Sequence, residues 1–186
     1  MARAERLTWL RGRSRVQEWI AGSLEYATLA LTSPDGPGPW MRALYRLPVW
    51  LTESSFAALV PHSVMLLTVP GRRSGRDRTV ALSYQHDPDH DIYFVVAGWG
   101  TRSHWYRNLE ASPRVKLRLG NRRITAVASN ASDEVSLALY RHQFDTNPFA
   151  ARSFAQITGG PADTSDRGLL ELARRCPVVA LRVEQD

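Results

Sequence analysis

From residue 64 onward the chain breaks into short, strand-length apolar segments separated by turn-forming residues, and this pattern restricts the fold more than any other feature. Val64 to Val69 is a short run containing β-branched residues, as a buried strand would be. Arg78 to Gln85 reads as a second strand, and Asp87-Pro88-Asp89-His90-Asp91 is turn chemistry that joins it to a third as a hairpin. Ile92 to Ala97 is apolar on both alternating faces, which predicts a strand covered on both sides. Val115, Leu117 and Leu119 alternate with Lys116 and Arg118, and Gly120-Asn121 turns the chain into Arg122 to Ser129 as another hairpin. Pro177 to Val183 is the last strand. Between them lie helical stretches: Thr101 to Ala111 with Ser103 as its candidate cap, one opened by Ser132-Asp133-Glu134 and broken at Asn147-Pro148, and one near Gly168 to Arg174. Thr158 to Asp166 reads as loop. About six hairpin-linked strands with helices around them predict an α+β fold, a small barrel of mainly antiparallel strands.

The first third differs in kind. Leu7 to Leu31 reads as helical, Ser33 to Pro39 as a stiff linker of prolines and glycines, and Trp40 to Val60 as a second helical stretch with a break at Pro48. We therefore expect residues 1–62 to form a helical extension and residues 63–186 the barrel domain. The mixture of Trp40, Tyr45, Trp50 and arginines with apolar residues suits a lipid–water interface, and thus peripheral membrane association. Helices that pack over the open end of the barrel explain it more simply, because aromatic stripes are more often core.

Charge narrows the partners. The net charge is +6, and Lys116 is the only lysine among the 24 basic residues. The densest cluster, Arg72, Arg73, Arg76 and Arg78, is local and lies in a glycine-containing loop. A discrete anion site is expected from this, not a nucleic-acid surface, which would spread basic and aromatic residues along one face. The single cysteine, Cys176, excludes an internal disulfide and reads as inert packing in a reducing, cytoplasmic setting. His62, His86, His90, His104 and His142 have no metal-ligand spacing, so no metal is expected. No leader peptide and no membrane span are read from the sequence.

Three segments can carry chemistry. Gly71-Arg72-Arg73-Ser74-Gly75 joins two strands: glycines would let backbone N–H groups converge on an anion, and arginines offer planar forks to phosphate or carboxylate. By spacing alone it reads equally as a basic turn; it is neither a Walker loop nor a dinucleotide fingerprint. Ala97-Gly98-Trp99-Gly100-Thr101 closes the third strand and allows a flat ligand to approach the backbone, or is a plain connecting loop. His104-Trp105-Tyr106-Arg107-Asn108-Leu109 follows, with Trp105 and Leu109 one turn apart on a helix face and Trp105 read as core.

In this order, "LLTxxGRRSGxxRT", "VVAGWG" and "WYRNLxAxPxV" resemble the deazaflavin-dependent nitroreductase and quinone-reductase family over roughly Val64 to Val183. The resemblance implies a split β-barrel related to the flavin-binding barrels, coenzyme F420 as hydride donor, and a small apolar organic acceptor such as a quinone, enone or nitro compound. It implies that Arg72, Arg73, Ser74 and Gly75 hold the coenzyme's phosphate and acidic tail, with Arg78 and Thr79 completing the loop. Val80, Ala81 and Leu82 would run beside the chromophore, and Val96, Ala97, Gly98 and Trp99 would meet its polar edge. His104, Trp105, Tyr106, Arg107 and Asn108 would close the site. The tyrosines that the best-known members carry are missing: Asn147 to Phe154 holds phenylalanines instead, and the second-strand position is Ser83, beside Tyr84. Nitroimidazole reduction is therefore not carried over. Ser83, Tyr84, Tyr106 and His104 are the candidate proton donors, with solvent as the alternative. The competing readings are an FMN-using reductase on the same fold and a non-catalytic carrier of F420 or a lipid. A homodimer is compatible with each.

Overall fold

The computed structural model describes residues 64–146, 155 and 163–184. The expected amino-terminal helices and linker, the Asn147-Pro148 break, Phe149 and Phe154 lie outside them.

Seven strands form one antiparallel sheet: β1 (Val64–Pro70), β2 (Asp77–Ser83), β3 (Gln85–Asp87), β4 (Ile92–Val96), β5 (Arg114–Leu119), β6 (Arg122–Asn130) and β7 (Val178–Val183). Their spatial order is β2-β1-β5-β6-β7-β4-β3. The two edge strands, β2 and β3, are thus consecutive in the chain and separated by Tyr84 alone. An extended residue spans only about 3.3 Å, so the two edges of the sheet meet to within about 10 Å there. Connectivity by itself forces the sheet to roll into a barrel. The closure is incomplete, because among the described residues β2 pairs with β1 alone, and Val95 and Val96 of β4 pair with β7 alone. A seam is left between the unpaired edges of β2 and β4, and the barrel is split there.

The expected second strand, Arg78 to Gln85, is in fact β2 and β3. The alternation of its side chains runs through Tyr84 without a break, so the count of about six becomes seven only because the segment changes neighbours.

Two apolar clusters flank the sheet. The barrel interior holds Met65, Leu67 and Val69 of β1, Tyr93 and Val95 of β4, Val115 and Leu117 of β5 and Leu181 of β7. Helix α1 (His104–Ala111) closes it with Tyr106 and Leu109. Outside the barrel, α2 (Asp133–Thr146) and α3 (Asp166–Arg175) cover Ile92, Phe94 and Val178 with Leu139, Tyr140, Leu169 and Leu172. This is why β4 is apolar on both faces. The starts of α2 and α3 have a local cause: Ser132 Oγ accepts from Val135 N at 3.3 Å, and Ser165 Oγ accepts from Gly168 N at 3.2 Å. The β3–β4 turn is held by the buried Asp87 carboxylate, which accepts from Asp89 N at 3.0 Å and bonds His90 Nδ1 at 2.8 Å.

Cys176 is buried in the outer cluster, and its thiol donates to Gly98 O at 3.4 Å. Burial pushes its pKa up to about 11. Because the folded pKa is raised, the neutral thiol's contribution to stability is complete below the ordinary thiol range and is lost as pH climbs from about 9 to about 11. That contribution is about 2–3 kcal/mol at most. Iodoacetamide at pH 8 should leave the native thiol unmodified and label it rapidly in denaturant; equal native labelling would contradict the buried assignment.

Candidate functional site

The arginine loop, Gly71 to Arg76, links the end of β1 to the start of β2. Glycine is required at position 75, whose φ is +65°. The loop's amides are largely spent on its own fold. Gly71 N donates to Arg76 O at 2.9 Å, and Ser74 N and Gly75 N both donate to Gly71 O, at 3.1 and 2.7 Å. Arg72 N donates to Asn108 Oδ1 at 3.3 Å. The expectation that backbone N–H groups converge on an anion is therefore corrected: four of them already have internal acceptors, and the side chains must do the binding. Arg72, Arg73, Ser74, Arg76 and Arg78 are all exposed. No carboxylate among the described residues pairs with Arg73, Arg76 or Arg78, whereas Asp77 is bridged to Lys116 at 3.3 Å. Such a donor set, cationic and uncompensated on one short loop, fits a phosphate or carboxylate-bearing ligand.

One contact joins this loop to the third segment. Asn108, buried on α1, accepts through Oδ1 from Arg72 Nη1 at 3.0 Å as well as from the Arg72 amide. A guanidinium has five N–H donors, so this bond orients Arg72 and leaves the others available. The second and third segments are joined as well: Ser103 N donates to Gly100 O at 3.1 Å and Arg107 Nε to Thr101 O at 3.0 Å. The arginine loop and the two neighbouring segments that follow β4 thus form one contiguous wall.

The strand end at Ala97 to Gly100 is a largely self-bonded turn. Ala97 N donates to Pro177 O, Gly98 N to Val96 O and Gly100 N to Ala97 O, at 2.9, 3.1 and 2.7 Å. The carbonyl of Gly98 is taken by Cys176. These groups, expected to meet a ring's polar edge, are mostly occupied within the fold.

Strand alternation divides the remaining predicted residues between two faces. Val80, Leu82, Tyr84 and Trp105 pack against the interior cluster, and Ala97 and Tyr106 belong to it. Ala81 and Ser83 fall on the outer face of β2, both half-buried, and Thr79 on that face bonds Thr68 through their hydroxyls at 2.9 Å. Val96 and Trp99 pack against the outer cluster. His104 and Arg107 are exposed on α1. Of the candidate proton donors, Tyr106 donates its hydroxyl to Asn130 Oδ1 at 3.0 Å and is core, while Trp105, read as core, is partly buried against the same cluster. The Tyr84 ring lies edge-on to Tyr93, 5.4 Å between centroids. Ser83 and His104 retain access. Ser103 occupies the N-cap position of α1 but makes no cap bond; its hydroxyl is buried with no hydrogen-bond partner among the described residues. Gln85, which the sequence did not single out, is another buried group of this kind at the seam: its Oε1 has no partner among the described residues.

The arginine loop and Ser83 stand at opposite ends of β2. Six residue steps of about 3.3 Å separate them, roughly 20 Å. A ligand touching both must be long, charged at one end and compact at the other.

Residues 46–159 match the family model described as F420H(2)-dependent quinone reductase. A curated relative, an F420H(2)-dependent quinone reductase of Mycobacterium tuberculosis (strain ATCC 25618 / H37Rv), is 37% identical over 67 residues, which are 34% of this chain and 44% of that protein. The chain therefore spans less than half the length of the curated relatives it matches. Among solved structures, the F420-H2 dependent reductase FDR-A gives a TM-score of 0.46 at 22% identity, covering 64% of this chain and 94% of its own. A pyridoxamine 5'-phosphate oxidase-related, FMN binding protein from Nostoc punctiforme PCC 73102 gives 0.47 at 15% identity, covering 78% and 81%. Both are too distant to assign roles to residues.

Proposed function

Because the chain belongs to the F420H(2)-dependent quinone reductase family, we propose that it binds the reduced deazaflavin coenzyme F420 along the outer face of β2 and reduces a quinone-class acceptor. The observation that carries this reading is the uncompensated arginine loop, pinned to α1 through Arg72 and Asn108, at one end of a strand whose other end offers small, half-buried residues. The bound coenzyme would supply a hydride to the acceptor; the protein supplies position and surroundings.

Each part of the wall has a task that its chemistry suits. Arg72, Arg73, Arg76 and Arg78 hold the phosphate and acidic tail by charge-assisted hydrogen bonds, with the Ser74 hydroxyl as a further donor. Ala81, with its single methyl, leaves room for a flat ring against β2. The apolar flank at Val96 and Trp99 excludes water from the reacting face. The reduced acceptor needs a proton, and of the side chains considered the half-buried Ser83 and the exposed His104 are those with no hydrogen-bond partner among the described residues; bulk solvent serves the same purpose.

Fluorescence-quenching titration tests the cofactor. Binding of F420 is expected at micromolar Kd or tighter, and weaker for FMN, which lacks the long acidic tail that the loop suits. Equal or tighter binding of FMN would sink the assignment. A panel of quinones, enones and nitroaromatics, offered with the reduced coenzyme, then ranks the acceptors, with quinones expected to turn over fastest.

A further inference from the structure

A flat heteroaromatic ring with a polar edge needs hydrogen-bonding partners, and the turn at Ala97 to Gly100 has few left to give. Gln85 supplies what that turn lacks. It is the first residue of β3, at the point where the chain leaves the β2 edge and joins β4, so it stands at the apex of the seam. By the two-residue period it shares the outer face with Ala81 and Ser83, and it pairs with Phe94 on the neighbouring strand. Val96, two residues farther along β4, points the same way. Outer-face positions on both sides of the seam, Ala81 and Ser83 on β2 and the cluster-packed Val96 on β4, therefore converge on this amide.

Its Oε1 is buried and has no hydrogen-bond partner among the described residues. An acceptor left in that state is a standing penalty that packing with an apolar residue of the same size would remove. Buried unsatisfied groups in native proteins call for an explanation, and a ligand that completes the bond is one. A carboxamide places an acceptor and a donor side by side, which complements an imide edge of alternating carbonyl and N–H. A quinone offers carbonyl oxygens only and cannot satisfy an acceptor oxygen.

We infer that Gln85 is a coenzyme-binding residue, its side-chain amide reading the imide edge of the deazaflavin ring at the apex of the seam between β2 and β4. The inference rests on the coenzyme reading above, and it assigns the polar edge of the ring to a side chain instead of to the strand-end backbone.

The test uses the full chain, with Gln85→Leu and Gln85→Glu. Two quantities are read: the melting temperature without ligand, and the Kd for F420 by fluorescence quenching. Gln85→Leu removes the orphaned oxygen, so its ligand-free melting temperature should equal or exceed that of the wild type. Its Kd should rise about tenfold or more. Gln85→Glu keeps an acceptor oxygen at the same reach and should bind more tightly than the leucine variant. Wild-type affinity in Gln85→Leu overturns the inference while leaving the cofactor assignment standing. A lowered ligand-free melting temperature with equally weak binding in both variants makes Gln85 a structural residue and also overturns it. Failure of the wild type to bind F420 overturns the cofactor assignment and this inference together.

Discussion

The double variant Arg72→Ala/Arg73→Ala should bind coenzyme F420 at least a hundredfold more weakly than the wild type, with an unchanged melting temperature. Each lost charge-assisted contact costs about 1.5–3 kcal/mol, and every 1.4 kcal/mol is tenfold in affinity. The loop amides cannot compensate, because those of Gly71, Arg72, Ser74 and Gly75 already bond within the protein. The fold should tolerate the change, because both side chains are exposed and, among the described residues, only Arg72 has a bond to lose, to Asn108. Salt supplies a second readout. Part of the attraction between exposed charges is screened, so wild-type affinity should fall as ionic strength rises and the double variant should respond far less. Titration at low and high salt checks both effects. Normal binding by the double variant under both conditions would reduce the loop to a basic turn and remove the main support for the site.

Gly100→Ala is expected to cost about 3 kcal/mol or more of stability, far beyond the usual penalty for alanine at a left-handed position. Two effects add. The φ of Gly100 is +66°, a conformation that alanine adopts at a cost of about 1 kcal/mol. A Cβ there would also collide with the carbonyl oxygen of Arg175, at the end of α3. That oxygen belongs to backbone, and neither side is free to yield: Gly100 N is bonded to Ala97 O, Gly100 O accepts from Ser103 N, and Cys176 beside it is buried. Gly75→Ala is the matched control, with nearly the same φ, +65°, and nothing within 4 Å of the added carbon. It should cost about 1 kcal/mol. Chemical denaturation of the two variants beside the wild type measures both. Equal losses would show that the contact with Arg175 relaxes freely and that the turn is not rigid.

Much of the barrel could be read from local sequence because each strand carries its own signal. Alternating apolar residues at Val115, Leu117 and Leu119, the Gly120-Asn121 turn, and the acidic turn after the second strand act over a few residues and need no distant partner. Ile92 to Val95, apolar at every position, announced a strand covered on both faces, and it lies between the interior cluster and the α2–α3 pair. The arginine loop and its place between two strands were likewise legible, because glycine and arginine state their chemistry wherever they stand.

What sequence reasoning could not reach are the relations between distant residues. The sheet order puts β2 and β3 at opposite edges although one residue separates them, and the seam follows from that closure. Alternation runs unbroken through Tyr84, so no local signal marks where the chain changes partners. Asn108 meets Arg72 across 36 positions, and only helix packing decides that its amide serves the loop. Tyr106, a plausible proton donor by residue type, is turned inward because α1 needs an apolar face for the barrel, and Asn130 takes its hydroxyl. Residue types and their spacing determined which ligand chemistry this protein could hold. Tertiary structure decided which donors and acceptors remain free to hold it, because a hydrogen-bonding group satisfied inside the fold has nothing left for a ligand.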